Sequence, residues 1–212
     1  MTKILLSGFE AFGELTSNPT MEIISRSKEW IMDGGQLYST ILPVIYDKCA
    51  KELIKKIEDI QPDYVLALGV AVGRSTITPE RIGINIQDTV GEGKLGDNEG
   101  LRPKDRLIVE GGPDGLFSTL PIRQITEKLI ENEIPATISN TAGTYICNNT
   151  LYSVLHYIKK NQLPIRAGFI HVPATPNMVC KQPNVPSMTI DLQEKGIRLI
   201  AEYCIKYGKS LG

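Results

Sequence analysis

Histidine is scarce in this chain: there are two in 212 residues, His156 and His171. With so few, and with neither an H-E-x-x-H pattern nor paired cysteines, metal catalysis is not expected. An excess of charge of either sign is also missing. The 23 basic residues nearly cancel the 24 acidic ones, leaving a formal charge of -1. No basic block or arginine stripe interrupts that balance, so nucleic acid is not an expected partner. No apolar run approaches the roughly 18–20 residues that span a bilayer, so no membrane partner is expected either. The opening stretch is too briefly apolar for a signal peptide and lacks a small-residue cleavage site. A soluble, cytoplasmic protein is expected. G-x-S-x-G is absent, which leaves a serine nucleophile on a strand-to-helix elbow without support. Residues 8–13 follow a strand but lack both G-x-G-x-x-G spacing and a P-loop's Lys-Ser/Thr, so phosphate binding there is weakly supported.

What is present is an alternation of apolar runs and amphipathic stretches from end to end. Residues 4–9 read as a strand. Asn18-Pro19 marks a helix start, with asparagine capping free amides and proline in the first turn. Residues 37–43 read as a strand. Cys49, Leu53, Ile57 and Ile60 fall at i, i+4, i+8 and i+11, the stripe of a surface helix. Residues 64–69 are uninterruptedly apolar, as in a strand covered on both faces. Period-two alternation predicts a strand over 81–88, and a Gly-, Asp-, Asn- and Pro-rich excursion follows over 90–112. Helices are expected over 121–132, 145–159 and 190–207, and strands over 136–140 and 167–172. No repeat or linker divides the chain, so residues 1–212 are expected to form a single catalytic domain. Its class is α/β, with a mostly parallel or mixed sheet covered by helices on both faces.

Cysteine chemistry survives this sorting. Four cysteines, at 49, 147, 180 and 204, contain no C-x-x-C pair and are expected to be free thiols. Cys49 and Cys204 sit on apolar helix stripes and read as small buried hydrophobes. Cys147 is placed differently, where a strand gives way to a small-residue turn and then a helix. With Thr144 as cap, it lies in the first helical turn, where the helix dipole and unpaired amides lower a thiol's pKa and can hold an oxyanion. A buried core cysteine at a helix start is the competing reading.

A thiolate hydrolase needs a histidine to activate the thiol and to protonate the leaving group. His156 lies nine residues beyond Cys147 on the same expected helix, on the opposite face and about 13 Å along the axis, out of reach. His171 ends an expected buried strand, at the edge where catalytic groups of α/β sheets gather. A carboxylate should orient it. Glu80, in a loop leaving the strand at 64–69, is the best candidate, with Asp88, Asp97 and Glu99 as rivals.

Three motifs then carry a resemblance. They are Gly73-Arg74-(x)3-Ile77-Thr78-Pro79-Glu80-Arg81-Ile82-Gly83-Ile84-Asn85, Ser139-Asn140-Thr141-Ala142-Gly143-Thr144-Tyr145-Ile146-Cys147-Asn148 and Gly168-Phe169-Ile170-His171-Val172-Pro173. With Gly8-Phe9-Glu10-Ala11-Phe12-Gly13 and Asn18-Pro19 near the start and Pro186-Ser187-Met188 near the end, the chain resembles the pyroglutamyl peptidase type I family of cysteine peptidases. The resemblance implies Cys147 as nucleophile, His171 as general base and acid, and Glu80 as its orienting partner. It implies a three-layer α/β/α sandwich with a mixed, mostly parallel sheet of the phosphorylase/hydrolase-like kind, no cofactor, and commonly a homotetramer. The substrates implied are peptides with N-terminal pyroglutamate, whose ring would meet Phe9 and Phe12. Two stretches depart from the pattern. Val70 stands where many relatives carry glutamine, and residues 88–94 lack the usual Asp-Ala-Arg; either Lys94 replaces that arginine or its role is lost. A nucleoside phosphorylase-like enzyme and a catalytically weakened binding protein on the same fold are the alternatives.

Overall fold

The computed structural model describes residues 1–12, 17–90 and 96–209. Gly13 of the first-loop motif and Lys94 lie outside the described residues. The chain order is β1 (Thr2–Phe9), α1 (Pro19–Ser27), β2 (Gly35–Leu42), α2 (Lys48–Ile60), β3 (Tyr64–Val70), β4 (Thr78–Pro79) and β5 (Ile82–Ile84). It continues with β6 (Gly115–Phe117), α3 (Ile122–Glu131), α4 (Ile146–Lys160), β7 (Arg166–Val172), α5 (Pro176–Val179) and α6 (Ile190–Lys209).

Five strands form one sheet in the order β2-β1-β3-β7-β4. The first four run parallel, and β4 closes one edge antiparallel to β7. Both faces of the central strands are apolar, so period-two alternation sorts their side chains into two cores. Leu5, Phe9, Val65, Ala67, Ala167 and Phe169 point to the core shared with α2 and α4. Ile4, Leu6, Leu66, Leu68, Ile170 and Val172 point to the core shared with α1, α3 and α6. The result is the three-layer α/β/α arrangement expected from the alternating pattern.

Local chemistry explains the element starts. Asn18 is the cap of α1: its side chain accepts from Thr20 N at 3.0 Å, and Pro19 occupies the first turn. The stripe of α2 packs as its spacing predicts, with Cys49, Leu53 and Ile57 buried.

Two expected strands differ. Residues 81–88 alternate, but only Ile82–Ile84 form a strand, and it pairs with Gly115–Phe117 in a separate two-stranded sheet. Beyond Ile84 the chain makes only an isolated bridge, Gln87 to Arg106, and scattered backbone hydrogen bonds, which side chains supplement. Asn148, fully buried on α4, accepts from Ile84 N at 2.9 Å and donates to the carbonyls of Ile84 and Ile86, each at 2.9 Å. Residues 136–140 make only isolated bridges, Ile77 to Ala136 and Glu80 to Ser139. Ile77, Pro79 and Arg81 exchange backbone hydrogen bonds with residues 135–139, but Pro79 has no N–H to donate to the Thr137 carbonyl, and this breaks the ladder.

Asn148 therefore ties α4 to the segment after the glutamate motif. Asn148→Ala strips three hydrogen bonds from buried surroundings and should cost roughly 1–3 kcal/mol for each group left without a partner. Urea denaturation would show this as a lowered midpoint with an unchanged slope.

Candidate active site

The parallel strands β3 and β7 end at the same edge, and the expected chemistry-bearing residues collect there. Alternation puts His171 on the α4 face, two residues beyond Phe169, with the two rings 4.9 Å apart. In the parallel register Gly69 of β3 stands beside His171. A methyl group built on Gly69 would lie 2.9 Å from Cys147 Sγ and 2.7 Å from the Phe169 ring. Those are distances that real side-chain carbons do not tolerate, so the bare backbone of Gly69 is what lets α4 bring its thiol down onto the sheet. Cys147 thus lies over the strand next to that of His171, whereas Glu80 approaches His171 from β7's other side.

Glu80 follows β4 directly. Its N–H donates to the Phe169 carbonyl at 2.9 Å, and its side chain is fully buried. The Oε1 atom meets His171 Nδ1 at 2.7 Å. The same oxygen accepts from Arg74 Nη1 at 2.6 Å. Burial pushes the Glu80 carboxyl up, but the hydrogen bond and charge of His171 and the hydrogen bonds of its other neighbours more than offset this. Its pKa is held below the ordinary value. The Ser139 hydroxyl favours the anion in the same way, although it hydrogen-bonds the Thr141 carbonyl and Glu80 Oε2 has no partner at hydrogen-bonding distance. An ionised carboxylate only accepts, so Nδ1 carries a proton and Nε2 of neutral His171 is the basic nitrogen.

Cys147 is the second residue of α4 and is partly exposed. The cap differs from expectation: Tyr145, not Thr144, occupies it, and the Tyr145 side chain makes no capping hydrogen bond. The Thr144 hydroxyl instead donates to the Asp88 carbonyl at 3.0 Å. The first-turn amides have no partner within the helix, and the dipole's positive end favours negative charge at the thiol and beside it.

A cavity of about 350 Å³ opens here, lined by Cys147 and His171 together with Phe9 and Phe12. Its walls also include Val44, Val70, Ala142 and Tyr145. Spacing arguments missed these last four because no period links a loop residue to a distant strand end. Arg74, also at the cavity wall, carried a signal: it is a cation six residues before the glutamate.

Of the rival acids Glu99 is exposed, and the other two are engaged elsewhere. Asp88 accepts from Val90 N and Asp105 N, and buried Asp97 accepts from Tyr46 N, Glu99 N and Leu101 N. The other thiols lie away from the cavity. Burial pushes Cys49 and Cys204 up to about 12. Cys180 is exposed after α5, with its thiol 3.6 Å from the Asn177 carbonyl. His156 stacks on Tyr152 within α4 at 6.1 Å and does not line the cavity.

Comparison with known proteins agrees with this picture. The family model for pyroglutamyl peptidase matches residues 2–207. A pyrrolidone-carboxylate peptidase of Clostridium perfringens is 42% identical over 93% of this chain and 90% of its own. One from Vibrio parahaemolyticus is 41% identical over 98% and 94%. Among solved structures, pyroglutamyl peptidase I of Bacillus amyloliquefaciens superposes with a TM-score of 0.88 at 36% identity, covering 94% of this chain and 93% of its own. Pyrrolidone carboxyl peptidase of Pyrococcus furiosus gives 0.91 at 37% identity, covering 97% and 99%.

The role of Gly69 can be checked without any substrate. Gly69→Ala must displace either the Phe169 ring or the Cys147 thiol. Iodoacetamide should then alkylate Cys147 at a rate changed by about tenfold or more, because thiolate formation depends on its surroundings. Peptide mapping of the alkylated protein would read this out.

Proposed function

The chain belongs to the pyroglutamyl peptidase family, and on that premise we propose that it is a cysteine peptidase removing N-terminal pyroglutamyl residues, with Cys147, His171 and Glu80 as its catalytic set. The observation that carries the assignment of roles is the 2.7 Å contact of His171 with buried Glu80 at the wall of the cavity that Cys147 enters. The family match does not favour a phosphorylase-like enzyme or an inactive binding protein.

The mechanism follows from the groups present. His171 Nε2 takes the Cys147 proton, and the thiolate attacks the carbonyl joining pyroglutamate to the next residue. The carbonyl oxygen becomes an oxyanion that the amides of the first turn of α4 can stabilise. As the tetrahedral intermediate collapses, the C–N bond breaks and His171 gives its proton to the leaving amine. The remaining thioester is hydrolysed when His171 draws a proton from water, releasing pyroglutamate and restoring the thiol. Glu80 fixes the imidazole's tautomer and stabilises its cation throughout.

Pyroglutamate has no free α-amine, so its pocket needs apolar walls and a few hydrogen-bonding groups, not a carboxylate for an ammonium. Phe9 and Phe12, at the cavity wall, suit the ring's methylenes. We further propose that residues 1–212 act as one catalytic unit that needs no cofactor, works in the cytoplasm and assembles as a homotetramer. Thiols outside any disulfide suit a reducing compartment, and exposed Phe117 and Ile31 are of a kind that subunit contacts cover. Light scattering on the purified protein would give the subunit number.

Cys147→Ala should abolish hydrolysis of pyroglutamyl amides, while Cys49→Ala and Cys204→Ala should mainly lower stability. Glu80→Gln should fold and lose roughly tens-fold to thousands-fold in turnover. A folded Glu80→Gln protein of normal turnover would contradict the role given to Glu80.

The test of specificity compares kcat/KM on pyroglutamyl-, prolyl- and glutaminyl-coumarin amides. The first should be cleaved far faster. Prolyl and glutaminyl substrates bring an ammonium into a cavity whose walls, among the described residues, carry no carboxylate, and prolyl also lacks the ring carbonyl. Phe12→Ala should raise KM and narrow the preference, leaving thiol reactivity largely unchanged. Equal wild-type rates on all three would reduce the protein to a generic cysteine amidase.

A further inference from the structure

Arg74 stands at the meeting point of the acid and the loop that leads to the thiol. Gly73, with φ of +95°, turns the chain just beyond β3, and Arg74 N closes the turn on the Ala71 carbonyl at 3.2 Å. The guanidinium then reaches three acceptors on two segments. Nη1 donates to Thr78 Oγ1 at 2.7 Å and to Glu80 Oε1 at 2.6 Å, and Nη2 donates to the Thr141 carbonyl at 3.0 Å. Thr141 opens the turn that runs through Ala142 and Gly143 to Cys147. The Ser139 hydroxyl also donates to its carbonyl, at 3.0 Å.

The electrostatics are equally specific. Glu80 is fully buried, and a buried carboxylate without a counter-charge takes up a proton or leaves the interior. Among the described residues its ion-pair partners are His171 and Arg74. His171 must alternate between neutral and protonated forms, so it cannot be the permanent counter-charge. Arginine stays protonated throughout. The other polar neighbours of Glu80, Thr78 on β4 and Ser139 before α4, are neutral.

We propose that Arg74 is a positioning residue of the peptidase reaction: it keeps Glu80 ionised and aimed at His171 while fixing the Thr141 carbonyl, and so holds the acid and the nucleophile's approach loop in one frame. The inference rests on the catalytic roles proposed for Cys147, His171 and Glu80. It adds a fixed positive charge to the site that acts through Glu80 and does not exchange protons with the substrate.

The charge and the geometry can be separated. Arg74→Gln removes the charge but keeps an amide donor; Arg74→Lys keeps the charge but cannot span three acceptors. Removing a fixed positive charge makes proton loss harder for every neighbouring group. The facing titratable groups are Glu80, His171 on β7 and Cys147 on α4. The pH profile of Cys147 alkylation by iodoacetamide should therefore move to higher pH in Arg74→Gln, by about half a unit or more. It should stay near the wild-type position in Arg74→Lys. On a pyroglutamyl amide both variants should lose kcat, roughly tenfold or more in the glutamine variant, with KM changed much less.

A merely structural arginine would lower thermal stability and scale both rates without moving the profile. An unshifted Arg74→Gln profile, or a lysine variant with wild-type kcat, overturns the proposal. If Arg74→Gln does not fold, Arg74→Lys decides alone: a reduced kcat with the alkylation profile and the maximal alkylation rate both unchanged supports the assignment, and a wild-type kcat, a shifted profile or both rates falling together rejects it. Alkylation needs no pyroglutamyl substrate. A wild-type protein that cleaved no pyroglutamyl amide would defeat the proposed function, while the profile would still judge Arg74.

Discussion

The contact between His171 Nδ1 and Glu80 Oε1, 2.7 Å long and almost wholly shielded from water, is the interaction on which the arrangement of the site depends. A carboxylate that deep is stable as an anion only if cations and hydrogen bonds replace its water. His171 and Arg74 do so on the same oxygen, and the Glu80 backbone is itself pinned to Phe169, two residues before the histidine. The short antiparallel β4 thus exists in a place where it can present Glu80 to the end of β7. Its two residues contribute little sheet, but they fix which side of the imidazole is occupied and which remains basic.

The thiol's position follows from a different constraint, that of close packing. Helix α4 approaches the sheet so nearly that Gly69 has room for no side chain, and the Phe169 ring fills the space beside it. Cys147 reaches the cavity because it is the second residue of that helix, on the turn that leans over β3. Further along α4, Asn148 and buried Asn149 tie the helix outward to residues 84–87 and to Asp47. The sheet therefore holds the Cys147 thiol from below, and hydrogen bonds from the surrounding loops hold its helix from the side.

The cavity walls come from several unrelated stretches of chain, which is why one face is apolar and another carries the reacting groups. Phe9 ends β1, Val44 follows β2, Val70 ends β3, and Tyr145 caps α4. The Tyr145 hydroxyl donates to the Gly96 carbonyl at 2.8 Å, and Asn98 donates both to Glu10 and to the Ala11 carbonyl. The long loop after β5 thereby braces the wall that bears Phe9 and Phe12. Such a pocket discriminates by shape and desolvation, in keeping with a neutral lactam ring.

Elements governed by their own residues were legible in the sequence. Apolar runs marked β1, β3 and β7, stripe spacing marked α2, and Asn18-Pro19 marked the start of α1, because covered strands, one-sided helices and caps depend on neighbours close in the chain. The motifs around Glu80, Cys147 and His171 pointed to the family and to a reaction class for the same reason. Tertiary structure decided the rest. Residues 81–88 and 136–140 have strand-like sequences, yet only Ile82–Ile84 of the first stretch pair continuously, and Pro79, which lacks an N–H, interrupts the pairing of the second. Thr144 looked like a cap, but its hydroxyl was claimed by Asp88. Asp88 and Asp97 were rivals to Glu80 until folding spent their oxygens on backbone amides. The requirement for a bare Gly69 beneath the thiol, and the reach of Arg74 to both Glu80 and Thr141, arise from segments about 70 residues apart in sequence meeting in space. No local pattern encodes such a meeting, because its energy appears only once both segments have packed.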